Sequence, residues 1–406
     1  MKKIVGGATA AKGYEASGVW AGIKKEKMDM ALLYSNSPCN VAGTFTQNLV
    51  KAAPVVWDRD IVTAGGTAYG VVVNSGVANA CTGPEGMKYC NETATYLANK
   101  MNIEPNQVLI GSTGVIGKQL PMDKIKGGID KLINSKALGV DAGHEAAKAI
   151  MTTDTYTKEI AFEIDIKGTT VVIGGMAKGS GMIHPNMCTM LSFITTDAVI
   201  SKELLQKALS LDVDETYNMI SVDGDTSTND TVLLLANGEA KNQEIMDGTE
   251  EYDEFKKALH EVNQILAMGI AGDGEGASAL IESRVVGAKS KDNAKIIAKA
   301  IICSDLVKTA IAGHDANWGR VLCAMGYSGG KFNPDLVDLF FESNAGIVHI
   351  LKDGVALDYD EDKATKILSA KEIIIIADLH EGDEYAKAWG CDLTHEYIEI
   401  NADYRS

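Results

Sequence analysis

Neither of the usual zinc ligand patterns occurs in this chain: there is no CxxC and no HExxH. A metal is therefore not expected. The seven cysteines, at 39, 81, 90, 188, 303, 323 and 391, form an odd, scattered set that reads as reduced thiols of a cytoplasmic protein. No GxxxxGK[ST] phosphate cradle is present, and GDGEGA (272–277) follows a predicted helix, not a strand. It reads as a helix C-cap and tight turn. The GxSxG elbow of serine hydrolases is missing too, because Ser180 in KGSGM leads into a proline-containing approach and then a strand. No apolar run nears the roughly 20 residues that a membrane-spanning helix needs. The start, MKKIVGGATAAKGYEASG, opens with two lysines but has no apolar stretch, so a signal peptide is not expected. Basic residues are the minority, 38 against 55 acidic, for a net charge of -17. That balance argues against nucleic acid or an anionic membrane as the main partner.

What is present is an ordinary globular composition, 46% hydrophobic and 23% charged over 406 residues, enough for two or three domains. Strand and helix patterns alternate. TAYGVVVNSG (67–76) and QVLIGSTG (107–114) are β-branched runs stopped by glycine, with a helical pattern over 85–101 between them. AGHEAAKAIM (142–151) predicts a helix, and 160–179 a hairpin turning at Lys167-Gly168. LSFITTDA (191–198) follows as a strand, then a helix with Ser201 as N-cap. Further on come TVLLLANG (231–238) as a strand, a long helix over 252–268, ALIESRVVGAKS as a strand pair, and a helix near 292–312. The last third holds DLFFESNAGI, EIIIIADLHEG and HEYIEINADYRS, the final one reading as a strand. Unbroken apolar runs such as EIIIIADL predict sheets covered on both faces. The fold class is α/β (α+β), with layered sheets between helices. Stretches 241–251 and 327–336 read as surface loops.

The stretch KGSGMIHPNMCTMLSFITTDA (178–198) is the most informative. It places Thr189 after a glycine-rich approach and at the head of a β-branched run. By strand propensity alone, Thr189 simply opens a buried strand. If the Cys188–Thr189 bond were cut, however, one residue would carry a hydroxyl nucleophile and a free amine to activate it, with no histidine needed. GSTGVIG (111–117) follows a strand and offers Thr113 and Gly114 where N–H groups and a hydroxyl can converge on an oxyanion. A plain strand-ending turn is the alternative. Other polar clusters are MTTDTYTK (151–158), AKGSG, GDGEGA and INADYRS.

Taken in order, AGTFTQN (42–48), AAPVVW, NSGVANACTG (74–83), STGVIG, IMTTDT, the 178–198 stretch, GDGEGA, GHDANWGR (313–320) and WGCDLTHEYIEINADYRS (389–406) resemble the glutamate N-acetyltransferase/ornithine acetyltransferase family of arginine biosynthesis. The resemblance runs nearly end to end. It implies the self-processing fold of ornithine acetyltransferases and DmpA-like proteins, and autocleavage between Cys188 and Thr189. An α chain of residues 1–188 and a β chain of 189–406 follow, the latter including a smaller C-terminal α/β domain, with two of each in a heterotetramer. Thr189 corresponds to the nucleophile, and Thr113 and Gly114 to the oxyanion pair. Thr152, Lys178, Thr189, Glu275, Asn401 and Ser406 match the substrate-binding positions. The substrates implied are N-acetylornithine and glutamate, with no cofactor; acetyl-CoA is a co-substrate that only some members use. Three positions depart from the family pattern: Cys188 stands for a usual alanine, His184 for a small residue, and Val77 for an asparagine. A self-cleaving amidohydrolase or aminopeptidase of the same architecture, and an uncleaved binding protein, remain as alternatives.

Overall fold

The computed structural model of the chain describes residues 1–184 and 190–403. Two sheets organise it. The first has ten strands, and its centre sets Lys158–Ile166, Thr169–Lys178, Leu191–Thr196, Thr231–Ala236 and Met30–Phe45 side by side. Thr67–Val77 and Val108–Val115 extend it from the long strand. Most pairs are antiparallel, but Leu191–Thr196 runs parallel to Thr231–Ala236, and Thr67–Val77 parallel to Val108–Val115.

Side-chain alternation explains why Thr231–Ala236 carries apolar residues on both faces. Val232 and Leu234 enter one core with Ile194 and the helices Lys202–Val213 and Glu250–Gly272. Leu233 and Leu235 enter another, with Phe193 and the helix Val140–Ile150. A polar residue on a strand buried on both faces needs a partner: Ser192 Oγ lies 2.8 Å from the Tyr217 hydroxyl, and Thr195 Oγ1 donates to Ala8 O at 2.7 Å. The hairpin at 158–178 turns where expected, with Lys167 and Gly168 at φ 52° and 83°. Ser201 caps its helix, its hydroxyl accepting from Leu204 N–H.

The second sheet runs Ile220–Ser221, Glu384–Cys391, Leu280–Ala288, Glu372–Asp378, Asp338–Ser343, Gly346–Lys352 and Val355–Ala356. The helix Lys291–Cys303 packs on one face, and the long helix Glu250–Gly272 lies between the two sheets. Strands from both sides of the Cys188–Thr189 bond therefore interleave in the first sheet, while the second is built from Ile220 onward.

Four expectations need correction. ALIESRVVGAKS is one strand, Leu280–Ala288, because the chain bulges at Gly287 (φ 67°) instead of turning back. The helix near 292–312 breaks at Ser304 into Lys291–Cys303 and Asp305–Ala312, Ser304 ending one and capping the other. The second sheet is not sealed on both faces: Ile373 and Ile375 are buried, but Ile374 and Ile376 on the opposite face are only partly covered. The last segment is a helix, His395–Asp403, and not a strand. Ile398 and Ile400 suggest alternation, yet Ile398 is 61% exposed, so the burial that alternation implies is missing. The helix is held instead at the turn after Gly272, through a Thr394 hydroxyl bond to Gly276 O.

Candidate active site

Ser112, Thr113 and Gly114 lie near the end of the strand Val108–Val115, paired with Asn74, Ser75 and Gly76, and local packing dictates the shape of this strand end. Gly114 has φ 126°, and a Cβ there would lie 2.4 Å from Gly76 C. Only glycine fits so close to a neighbouring backbone. Three amide and hydroxyl bonds brace this strand end. Ser112 Oγ donates to Asn74 Oδ1 (2.7 Å), Asn74 Nδ2 donates to Val77 O (2.8 Å), and Asn229 Nδ2 donates to Ser112 O (2.8 Å). Val77, one of the departures, has its side chain buried among Met30, Val72 and Ile110.

Lys178 ends the second strand of the hairpin and is 8% exposed. Its Nζ donates to Thr152 Oγ1 at 2.8 Å and to Thr113 Oγ1 at 3.3 Å. Both hydroxyls accept from a cation, so each keeps its own proton to donate elsewhere. A hydroxyl polarised this way is a stronger donor. Burial lowers the Lys178 pKa below the ordinary lysine value, and the Asp154 carboxylate opposes that shift.

Glu275 arrives from the turn after the long helix, and Asn401 from the C-terminal helix, with Asn401 Nδ2 donating to Glu275 Oε2 at 2.8 Å. Gly181 makes room: a Cβ there would lie 2.4 Å from the same oxygen. Thr113, Gly114, Thr152, Lys178, Glu275 and Asn401 all line one cavity of about 230 Å³. Five separate parts of the chain meet there. Thr189, Cys188 and Ser406 lie outside the described residues, and Met190, next to Thr189, lines the same cavity.

His184 comes just before the undescribed residues. Its Nδ1 lies 3.1 Å from Ser221 Oγ and 3.6 Å from Cys303 Sγ. Burial, with Lys299 acting in the same direction, pushes its pKa down to about 4. The imidazole is therefore neutral near pH 7. Among the described residues no group of three or more His, Cys, Asp or Glu could hold a metal ion, and no helix is long and apolar enough to cross a membrane.

The sequence reading missed Asn229 and Asp230, which line the cavity from the segment before the strand Thr231–Ala236. A polar run, DTSTND (225–230), enters an apolar strand there, the same kind of signal that marked Thr189. It also left without a role the Asp154–Lys158 and Asp273 residues of the polar clusters at 151–158 and 272–277. These prove to be buried and paired behind the cavity, at 2.8 and 2.6 Å.

The comparisons agree with one another. Residues 15–406 match the family model of the ArgJ family. A protein of Thermotoga neapolitana called arginine biosynthesis bifunctional protein ArgJ is 51% identical over 396 residues, spanning 97% of this chain and 99% of its own length. One of the same name from Listeria monocytogenes is 46% identical over 406 residues, all of both chains. A solved structure of an ArgJ protein from Bacillus halodurans is 47% identical with a TM-score of 0.51, all of its chain matching 53% of this one.

Proposed function

The chain belongs to the ArgJ family, and on that premise we propose that it moves an acetyl group from N2-acetyl-L-ornithine to L-glutamate through an acetyl ester on Thr189. The observation that carries this reading is the convergence of Thr113, Gly114, Thr152, Lys178, Glu275 and Asn401 on the cavity that Met190 also lines. Two amino-acid substrates need a cation for their carboxylates, oxyanion donors, and a nucleophile at the same point.

The chemistry starts with the chain itself. Thr189 Oγ attacks the Cys188 carbonyl carbon, the C–N bond breaks, and the amine keeps the hydroxyl proton. Water then hydrolyses the ester, leaving a carboxylate on Cys188 and a free hydroxyl and amine on Thr189. Support comes from the Bacillus structure, whose whole chain matches 53% of this one, about the share that residues 189–406 make up. An α-amine has a pKa of about 7.7–8.0, so near neutrality a useful fraction is unprotonated and can take the proton of its own hydroxyl.

In the first half-reaction Thr189 Oγ attacks the acetyl carbonyl. The oxyanion takes hydrogen bonds from Thr113 and Gly114, where removal of one donor typically costs about 3 kcal/mol of transition-state stabilisation. The intermediate collapses, and the ornithine α-amine leaves with the proton. The glutamate α-amine then attacks the acetyl ester, the C–Oγ bond breaks, and a proton from that amine passes to Thr189 Oγ. One amide is broken and one is made, so no activated donor is needed. Lys178 holds the α-carboxylate of either substrate, and Glu275 pairs with the side-chain ammonium of ornithine.

The 1–188 and 189–406 chains form a heterotetramer of two α and two β chains in the cytoplasm. Acetyl-CoA serves as an alternative acetyl donor to glutamate. The deciding experiment incubates purified enzyme with N-acetylornithine, with and without glutamate. Ornithine release that requires glutamate supports a transferase, whereas release at the same rate without it sinks the transferase reading in favour of an amidohydrolase. A denaturing gel should show two bands, and a single full-length band from active protein contradicts the mechanism. A parallel assay with acetyl-CoA and glutamate tests the second donor.

A further inference from the structure

Behind the cavity lie three charged side chains that the chemistry above does not use. Lys158 starts the first strand of the hairpin, and its side chain is 1% exposed. Its Nζ contacts Asp154 Oδ1 at 2.8 Å and Asp273 Oδ2 at 2.6 Å, and these carboxylates are 0% and 3% exposed. Burying three charges is costly unless each is paired and hydrogen-bonded. The partners here are backbone groups of the cavity wall. Asp154 Oδ1 accepts from Gly179 N (2.7 Å), the residue after Lys178, and Asp154 Oδ2 accepts from Thr152 N (3.0 Å). Asp273 Oδ2 accepts from Thr155 N (3.0 Å), and Thr155 Oγ1 donates to Asp273 Oδ1. Ser180 Oγ donates to Asp273 O (2.6 Å), and Glu275 N donates to Ser180 O (3.0 Å).

We propose that the buried Asp154–Lys158–Asp273 set is the positioning device of the substrate site, fixing the separation of Thr152, Lys178 and Glu275 before either amino acid arrives. The proposal rests on the reading that Lys178 takes the substrate carboxylate. Lys158 ties the 152–155 segment to the 273–275 turn, and Asp154 fixes the backbone on either side of the Lys178–Thr152 contact. Counting Lys178, two cations and two anions alternate, so the set is neutral. Burial works to raise the Asp154 pKa, but Lys178 and Lys158 hold it well below the ordinary carboxylate value. Asp154 in turn favours the charged form of buried Lys178.

The test is a split between KM and kcat in purified enzyme. Asp154→Asn keeps the shape but removes the anion. Lys158→Met removes the central cation. Each should raise KM for N-acetylornithine and for glutamate about tenfold, the effect of losing roughly one charge-assisted bond. kcat should stay within about threefold. A purely structural lesion reduces the amount of active enzyme and so lowers kcat, leaving KM alone. Asp197→Asn is the control, because Asp197 is also buried and accepts from the backbone, at Val172 N and Lys12 N, away from the cavity. Its KM values should stay within about twofold of the parent, by the additivity of distant sites. If either core variant fails to fold, Thr155→Val, at an exposed position, decides alone with an expected KM rise of about threefold. Unchanged KM values in Asp154→Asn, or equal rises in all variants including Asp197→Asn, overturn the proposal. Should the parent enzyme release ornithine without glutamate, the transferase reading falls, while KM for N-acetylornithine still reads the positioning.

Discussion

Replacing Gly114 by alanine should damage both stability and catalysis, and the geometry sets the scale. A methyl at Gly114 would sit 2.4 Å from Gly76 C, 2.7 Å from Gly76 Cα and 2.7 Å from Val77 N. All three are backbone atoms in a paired strand, so no side chain can swing aside. Overpacking of that kind costs about 1–3 kcal/mol. The φ of 126° adds strain of about 1–3 kcal/mol for a residue with a Cβ. The sum is about 2–6 kcal/mol. Unfolding entropy is about 2.1 cal/mol/K per residue, so 406 residues give roughly 1 °C of melting shift per kcal/mol. Gly114→Ala should therefore melt about 2–7 °C lower. Gly117→Ala is the control, because φ is 79° there too but nothing lies within 4 Å of the added Cβ. It should lose about 1–4 °C, the φ strain alone. The two variants should also differ in acetyl exchange: displacing an oxyanion donor costs about a hundredfold or more in kcat at Gly114, with little change at Gly117. Equal melting temperatures and equal exchange rates for the pair would refute both the packing argument and the oxyanion assignment.

Gly181→Ala should behave differently, since the three atoms nearest its Cβ all belong to the Glu275 carboxylate, 2.4–2.7 Å away at the end of a flexible side chain. The fold yields by moving Glu275 away from Asn401, so KM for N-acetylornithine rises about tenfold while melting changes by about 1 °C or less. For His184, a folded pKa of about 4 against 6.5 means that the unfolded chain binds a proton first as pH falls. Stability should drop from about pH 6.5 downward and level off near pH 4, and His184→Asn should flatten that part of a melting-temperature profile. Deleting Ser406 should raise KM for both substrates, and unchanged kinetics would remove it from the site.

The predicted cluster at the cavity was legible because polar and glycine residues interrupt apolar runs at 111–117, 151–158, 178–181 and 272–277. Some of these polar side chains line the cavity, such as Thr113, Thr152, Lys178 and Glu275, while Asp154, Lys158 and Asp273 are buried and paired behind it. First-sheet strands at 67–77, 108–115, 191–196 and 231–236 were legible from their apolar runs. Met30–Phe45 was not, since SNSPCN (35–40) interrupts its apolar pattern. The C-terminal helix was not: nine residues with isoleucines two apart fit a strand, and only the exposure of Ile398 and the docking of Thr394 against Gly276 distinguish the two.

By its local chemistry the sequence determined the hairpin turn at Lys167-Gly168, the Ser201 cap, the apolar strands, and the residue types able to serve acyl transfer. Each of these depends on neighbours a few positions away. Tertiary structure alone decided that Lys178 stands 2.8 Å from Thr152 and 3.3 Å from Thr113, and that Asn401 reaches Glu275 across 126 positions of chain. It alone placed Lys158 between Asp154 and Asp273. Such pairings follow from which strand edges meet and which helix ends dock there, and spacing along the chain carries no record of either.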